Sequence, residues 1–206
     1  GTYIKVVVDI STMLSQYVPK APRILPVITS GGMQVPYDLL NLDFMDGAVL
    51  SGVLLDEVFR GGWLPDVTKR ISYVSELYLE ETHILSTQLI TNIYALAGQT
   101  VNVGPLGSGT DVIARRLFEM LGIRPIYDNR PTSVALEGVP TGNPTAVLYI
   151  AGKPVNVFSD IRIVGNLRFV PIPWTAALQQ RVSPSFRPTF LRNTDYPRLV
   201  PPGSDV

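Results

Sequence analysis

The chain has 206 residues, 46% of them apolar and only 17% charged, with 17 Lys and Arg balancing 17 Asp and Glu. This hydrophobicity at zero net charge excludes general disorder, and it argues against a nucleic-acid binder working through a broad basic surface. With no cysteine and a single histidine, disulfides, thiol catalysis, cysteine-based zinc and multi-histidine metal sites are excluded as well.

The length suits one ordinary domain or two small lobes sharing a chain path, with enough buried surface to need no cross-link. No apolar run reaches the roughly 18 residues of a membrane helix, and the start at Gly1 has no signal-peptide layout, so any targeting segment is expected outside this chain. Glycine (17) and proline (18) are frequent enough to predict many turns and short elements rather than a helical bundle.

In chain order, residues 4–14 carry apolar side chains at helical spacing and predict a helix closed before Pro19, against a local β-branched bias. Residues 23–28 predict a short strand, Thr29-Ser30-Gly31-Gly32 a loop, and 35–42 a short helix. A turn at Asp46-Gly47 leads to a strand over 48–50, after which Ser51 is placed to cap a helix over 53–59 ending near Gly61-Gly62. Residues 70–74 and 77–85 alternate as strands, and Thr91-Asn92 starts a short helical turn closed by Gly98. The clearest unit is a strand over 100–103, the glycine-rich turn Gly104-Pro105-Leu106-Gly107-Ser108-Gly109-Thr110, and a helix over 111–121. Ile113, Leu117 and Leu121 line one face of that helix, and Gly122 caps it. Strands are predicted over 123–127, 146–150, 161–164 and 168–172, with helical pieces at 134–136 and 175–180. From Val182 the proline-rich remainder reads as an irregular arm. The rhythm is α/β.

For chemistry, the loop from Gly104 to Thr110 stands out. A strand, a glycine-rich turn and a helix start leave backbone N–H groups aimed at an anion, and Ser108 and Thr110 add hydroxyls. The spacing is neither a dinucleotide fingerprint nor a phosphate loop, since no lysine follows the last glycine. The competing reading is a helix cap with a tight turn. Asp111 in the first helical turn would oppose a second negative charge and favour a single carboxylate over a polyphosphate. Ser30-Gly31-Gly32 is a second, weaker donor loop, and Ser51 is a cap or a ligand contact. His83 reads as structural. Glu80 and Glu81 lie on opposite strand faces, a poor catalytic pair, and read as solvated near a strand end. Trp63 and Trp174 read as packing residues. Arg23, Arg60, Arg70, Arg124 and Arg130 are possible carboxylate partners that spacing alone does not rank.

Tyr78-Leu79-Glu80-Glu81-Thr82-His83, followed by Leu96-Ala97-Gly98-Gln99-Thr100-Val101-Asn102-Val103 and Gly104 to Thr110, resembles the TAXI class of solute receptors of tripartite ATP-independent periplasmic (TRAP) transporters. Gly1-Thr2-Tyr3, Tyr149-Ile150-Ala151-Gly152-Lys153-Pro154 and Asp195-Tyr196-Pro197 agree at a scattered level. The resemblance implies an α/β, two-lobed fold like the type II periplasmic binding proteins, each lobe a mixed sheet flanked by helices. Lobe one would comprise 1–85 and 168–206, and lobe two 86–167. A small organic anion or amino acid would be held by Gly107, Ser108, Gly109 and Thr110, with Thr2, Tyr3, Ser30, Gly31 and Ser51 opposite, Tyr78 near the hinge and Tyr149 contributing. It further implies no enzymatic activity, no cofactor, no metal and no nucleic acid, with permease subunits as partners in an extracytoplasmic compartment. The chain departs from that pattern at Leu79, at Ser51-Gly52-Val53 and at Thr145, where the pattern is more polar or has proline; a smaller or more apolar acid suits such a wall. The alternatives are a sensing or interaction module of the same fold, and an enzyme drawing on Glu80, Glu81 or His83.

Overall fold

A computed structural model describes residues 2–62, 64, 66–87, 89–161 and 165–206. The chain divides into two compact units, Gly1–Val74 and Ser75–Val206. This division departs from the expected lobes. Residues 75–85 and 168–206 pack with 86–167, because the strand after residue 166 pairs directly with the strand beginning at Glu81.

The first unit is helical among its described residues: α1 (Thr2–Tyr17), α2 (Gln34–Asn41), α3 (Gly52–Gly61) and α4 (Val67–Arg70). Helical spacing in α1 prevails over its β-branched bias. Ser11 Oγ donates to Ile24 O at 2.8 Å, tying that helix to the segment after it. Pro36, Leu54, Val58 and Val67 are its buried side chains. The sheet expected here does not form among the described residues: 23–28, 48–50 and 71–74 enter no ladder. Pro26 lacks a ladder donor and Pro22 abuts the same segment, while strand character is realised only by pairing. Ser51 occupies the N-cap of α3 but its side chain makes no capping bond; the helix ends on Gly62, whose φ of 63° is the left-handed closure glycine favours.

The second unit is built on a mixed sheet in the order β3-β2-β4-β1-β5. The strands are β1 (Glu81–Thr87), β2 (Thr100–Asn102), β3 (Ile126–Asp128), β4 (Ala146–Ala151) and β5 (Leu167–Phe169). β2 runs parallel to β3 and β4, whereas β1 is antiparallel to β4 and β5, with His83 opposite Tyr149 and Leu85 opposite Val147. The sheet is buried on both faces, which is why β1 reads as a continuous buried run rather than an alternating one. Of the expected 161–164 strand, Arg162, Ile163 and Val164 lie outside the described residues, as does Trp63.

On one face, Ile84, Leu148 and Val101 meet Leu117, Phe118 and Leu121 of α5 (Gly109–Leu121), joined by Leu178 and Val182 of α8 (Ala176–Val182). α5 forms because its apolar positions recur every three to four residues between a serine cap and a glycine stop. Gly122 at φ 69° closes it with its N–H on Glu119 O, and Ile123 N–H reaches Phe118 O. On the other face Leu85, Val147 and Phe169 meet Ala135 and Leu136 of α6 (Thr132–Gly138) and Phe158 of α7 (Asn156–Ser159).

The C-terminal stretch corrects the expectation of an arm. Leu191, Tyr196, Leu199 and Val200 are buried in this second core, and residues Arg192 and Asp205 form an antiparallel bridge. The prolines there shape a tail that packs.

Gly138, at the end of α6, is a tight spot: a Cβ added there would stand 1.9 Å from Asn143 O. Gly138→Ala is therefore expected to lose about 3 kcal/mol of unfolding free energy through forced backbone movement. Urea melts of the two proteins would check it, and equal midpoints would refute it.

Candidate functional site

The glycine-rich loop leaves the C-terminal end of β2 and enters α5. Its base is fixed by Asn102, a fully buried amide whose Nδ2 donates to Asp128 O (3.1 Å) and Arg130 O (2.9 Å), while its Oδ1 accepts from Gly104 N–H at 3.2 Å. Gly104 and Gly107 hold φ near 75°, a turn geometry that glycine takes without steric cost. Ser108 is the N-cap of α5, its Oγ accepting from Asp111 N–H at 3.2 Å. Gly109 and Thr110 then present first-turn N–H groups that have no acceptor among the described residues. Thr110 Oγ1 sits 3.5 Å from Ile150 N–H, so the helix start is placed against the C-terminal end of β4.

Asp111 is 2% exposed, deeper than a first-turn acid ordinarily lies. Its Oδ2 accepts from Gly107 N–H at 2.9 Å, and its Oδ1 accepts from Arg115 Nε at 2.7 Å and Asn129 Nδ2 at 2.9 Å. Arg115 also donates to Asn129 Oδ1 at 3.1 Å and lies 4.0 Å over the Tyr127 ring, while Asn129 Nδ2 reaches back to Gly104 O at 2.8 Å. The negative charge that the sequence places at the loop is thus matched internally. The Gly107 N–H counted as a ligand donor is already engaged by Asp111. The i,i+4 spacing of Asp111 and Arg115 was the available signal for this pair; Asn129 and Asn102 had none.

Tyr78 lies at the same end of the sheet, where β1 begins opposite the end of β4. A Cβ on Gly152 would stand 3.0 Å from Tyr78 Cδ2 and 3.2 Å from Leu79 O, so the closeness of that contact depends on glycine. The Tyr78 hydroxyl is buried with no hydrogen-bond partner among the described residues. Burial first, then the nearby Glu80 and Tyr149, push its pKa up to about 12, so it is a neutral hydroxyl at physiological pH. Tyr149 turns to the opposite face from Thr110 and packs edge-on to Phe158 at 6.2 Å between ring centroids, a core contact. In α/β sheets ligands gather outside the carboxyl ends of the parallel strands. Tyr78, Ser108, Gly109 and Thr110 all lie at that end of β2 and β4.

The other expected contacts belong to the first unit. Thr2 is in α1, its side chain outside the described residues; Tyr3, next to it, is half-buried. Ser30 is exposed and Gly31, at φ 79°, donates its N–H to Thr29 Oγ1 at 3.1 Å. Ser30 lines an open groove of about 470 Å³ with Ile28, Gln34 and Phe44. Ser51 is half-buried at the head of α3.

Glu81 corrects its expected role: it is 6% exposed rather than solvated, its Oε2 accepting from Lys153 N–H at 3.0 Å. Burial pushes its pKa up, against the lowering pull of Lys153. His83 is fully buried, with Nδ1 3.0 Å from Glu81 O and Nε2 2.7 Å from Tyr196 Oη. Tyr196 Oη already accepts from Val155 N–H at 2.8 Å, so its own proton is directed to Nε2, leaving Nδ1 as the protonated nitrogen. Burial pulls the His83 pKa down to about 4. A neutral imidazole with both nitrogens engaged is structural, as its sequence position suggested. Trp174 packs likewise, its Nε1 donating to Gln179 Oε1 at 2.7 Å. Of the arginines, Arg60 pairs with Glu57, Arg70 donates to Leu40 O and Arg130 pairs with Asp128.

No curated protein sequence matches the chain significantly. Among solved structures, the regulatory domain of CcmR from Synechocystis PCC6803, in complex with 2-PG, is similar with a TM-score of 0.52 at 13% identity, over 82% of this chain and 76% of that one. The periplasmic aliphatic sulphonate binding protein SsuA of Escherichia coli is similar with a TM-score of 0.51 at 17% identity, over 82% of this chain and 56% of that one. At these identities the likeness is one of fold, the mixed α/β architecture of type II periplasmic binding protein-like domains. A family model covers residues 1–200, and on that match the chain belongs to the NMT1-like family.

Proposed function

We propose that the chain is a non-enzymatic solute-binding protein. It captures a small organic anion or amino acid and, as an extracytoplasmic receptor of the TAXI kind, delivers it to a TRAP-type permease. The observation that carries this is the pair of unpartnered N–H groups of Gly109 and Thr110 at the carboxyl end of the parallel strands, the same end of the sheet at which the unpartnered Tyr78 hydroxyl lies. Donors in that position suit a carboxylate or sulfonate oxygen. Similar folds whose structures are described with 2-PG or as a sulphonate binder support an acidic solute. The residues Tyr78 to Thr110 support the TAXI and TRAP assignment through their resemblance. A second reading, a ligand-sensing domain without a transport role, is favoured by the likeness to a regulatory domain.

The test is the melting temperature of refolded, ligand-free protein against a panel of carboxylates, sulfonates and amino acids. A solute at 100-fold excess over Kd stabilises the folded form by about 2.7 kcal/mol. Gly109→Ala is the discriminating variant, because its Cβ meets nothing within 4 Å and the helix start tolerates alanine. The unliganded melt should be unchanged, while the added methyl obstructs approach to the N–H pair and removes most of the solute-induced shift. A flat panel, or an undiminished shift in Gly109→Ala, would sink capture at this loop. Solute uptake into vesicles holding a TRAP permease separates transport from sensing.

A further inference from the structure

The side chains behind the loop form a closed polar unit whose every member is spoken for. Asp111 receives three donors, Arg115 is stacked on Tyr127 and forked between Asp111 and Asn129, and Asn129 returns a bond to Gly104 O. Two of its bonds end on the loop backbone, at Gly104 O and Gly107 N–H, on either side of Pro105-Leu106. The loop before α5 is therefore tied to Arg115 through Asp111 and Asn129.

We propose that Arg115 is the positioning residue of the solute loop. Acting through Asp111 and Asn129, it fixes the 104–108 turn so that the Gly109 and Thr110 donors stand pre-organised for a solute bearing one negative charge. This rests on the solute-capture reading for its ligand, and on the side-chain geometry alone for the positioning. Asp111 occupies the Gly107 donor, and the Arg115 charge is matched by Asp111. A second solute charge would thus meet a buried carboxylate without a free counter-charge from this network. Lysine cannot replace Arg115, because a point charge lacks the planar fork that spans Asp111 and Asn129.

Two measurements decide it. The first is amide hydrogen exchange of Gly107 by NMR, with no solute present, in Arg115→Gln, Arg115→Lys and Asn129→Ala. Loss of the hydrogen bond on Gly107 N–H should speed its exchange about tenfold in both Arg115 variants, with α5 amides beyond Leu117 unchanged. Asn129→Ala leaves the Arg115–Asp111 pair in place and guards against misfolding of the arginine variants; in it the Gly107 rate should rise less. A native Gly107 rate in Arg115→Gln or Arg115→Lys overturns the proposal.

The second measurement is the Kd ratio for methanesulfonate and methylphosphonate at a pH where they carry one and two charges. Native protein should favour methanesulfonate, and Asp111→Asn, by freeing the arginine charge, should move the ratio about tenfold toward methylphosphonate. A purely structural role would weaken both probes alike, so an unmoved ratio overturns the charge assignment. If native protein binds neither probe nor any member of the solute panel, solute capture fails. The exchange rates still decide whether Arg115 positions the loop.

Discussion

Tyr196→Ala is expected to destabilise the 75–206 unit by about 3–5 kcal/mol, the cost of emptying a large buried aromatic site. The ring is 1% exposed and sits 4.9 Å from Phe169 and 5.5 Å from His83 between centroids, so nothing in the shell is free to fill the space. Its hydroxyl joins two otherwise distant pieces of chain, accepting from Val155 N–H and donating to His83 Nε2. Tyr196→Phe keeps the packing and leaves both of those groups without a partner, at about 1–3 kcal/mol. Urea unfolding followed by Trp174 fluorescence, in a Trp63→Phe background, gives both numbers. A Tyr196→Ala loss below about 1 kcal/mol would mean that residues 190–206 do not contribute to this core in solution.

The same residue shows where sequence reasoning stops. Prolines and polar residues after Val182 give the segment no period, and a segment without a period reads as irregular. Being irregular did not make it peripheral: single anchors such as Leu191, Tyr196 and Leu199 are enough to close the second core, and their spacing follows a path no helical or strand template describes. α5 was legible for the opposite reason. Ile113, Leu117 and Leu121 mark one face, Ser108 and Gly122 mark its ends, and each signal is local. The strand segments of the first unit were misread because β-branched composition predicts a tendency to pair, whereas pairing itself depends on neighbours that composition does not specify. The site divides in the same way. Donors carried by the backbone of Gly109 and Thr110 were visible as a glycine-rich helix start. The partners of Asp111 were not, since Asn129 reaches it only through the parallel pairing of β2 and β3. Tyr149 was expected to contribute to ligand binding; its register opposite His83, which sends both rings toward Phe158, is a property of the sheet that local sequence does not carry.

Acid should weaken the second unit through His83. Its folded pKa lies near 4 against 6.5 for a free imidazole, because burial among Phe158, Phe169 and Tyr196 disfavours the charged ring. Between those values the unfolded chain binds more protons than the folded one, so stability is intact above pH 6.5 and falls as pH drops toward 4. At the lower end the loss is about 3 kcal/mol. Glu81 works in the opposite sense. Its folded pKa is raised above 4.5, so the folded state binds the extra proton, and its destabilising effect is present above that raised value and relieved on acidification. Lys153 and Asp195, paired at 3.1 Å beside these groups, complete the charged surroundings, and Tyr196, whose pKa burial pushes up to about 12, stays neutral throughout this range. Asp195 titrates below its ordinary value: burial alone would raise it, but Arg192 N–H and Lys153 outweigh that. Its contribution is therefore lost only at pH below 3.8. The separation of the two buried groups is direct. His83→Gln should flatten the fall between pH 6.5 and 4 whatever it does to stability at neutral pH, whereas Glu81→Gln should leave that fall steeper than in the native protein. Urea midpoints measured across the window would show both. An acid loss that persists unchanged in His83→Gln would mean that protons enter elsewhere, and the buried neutral histidine would lose its place as the acid-sensitive element of this core.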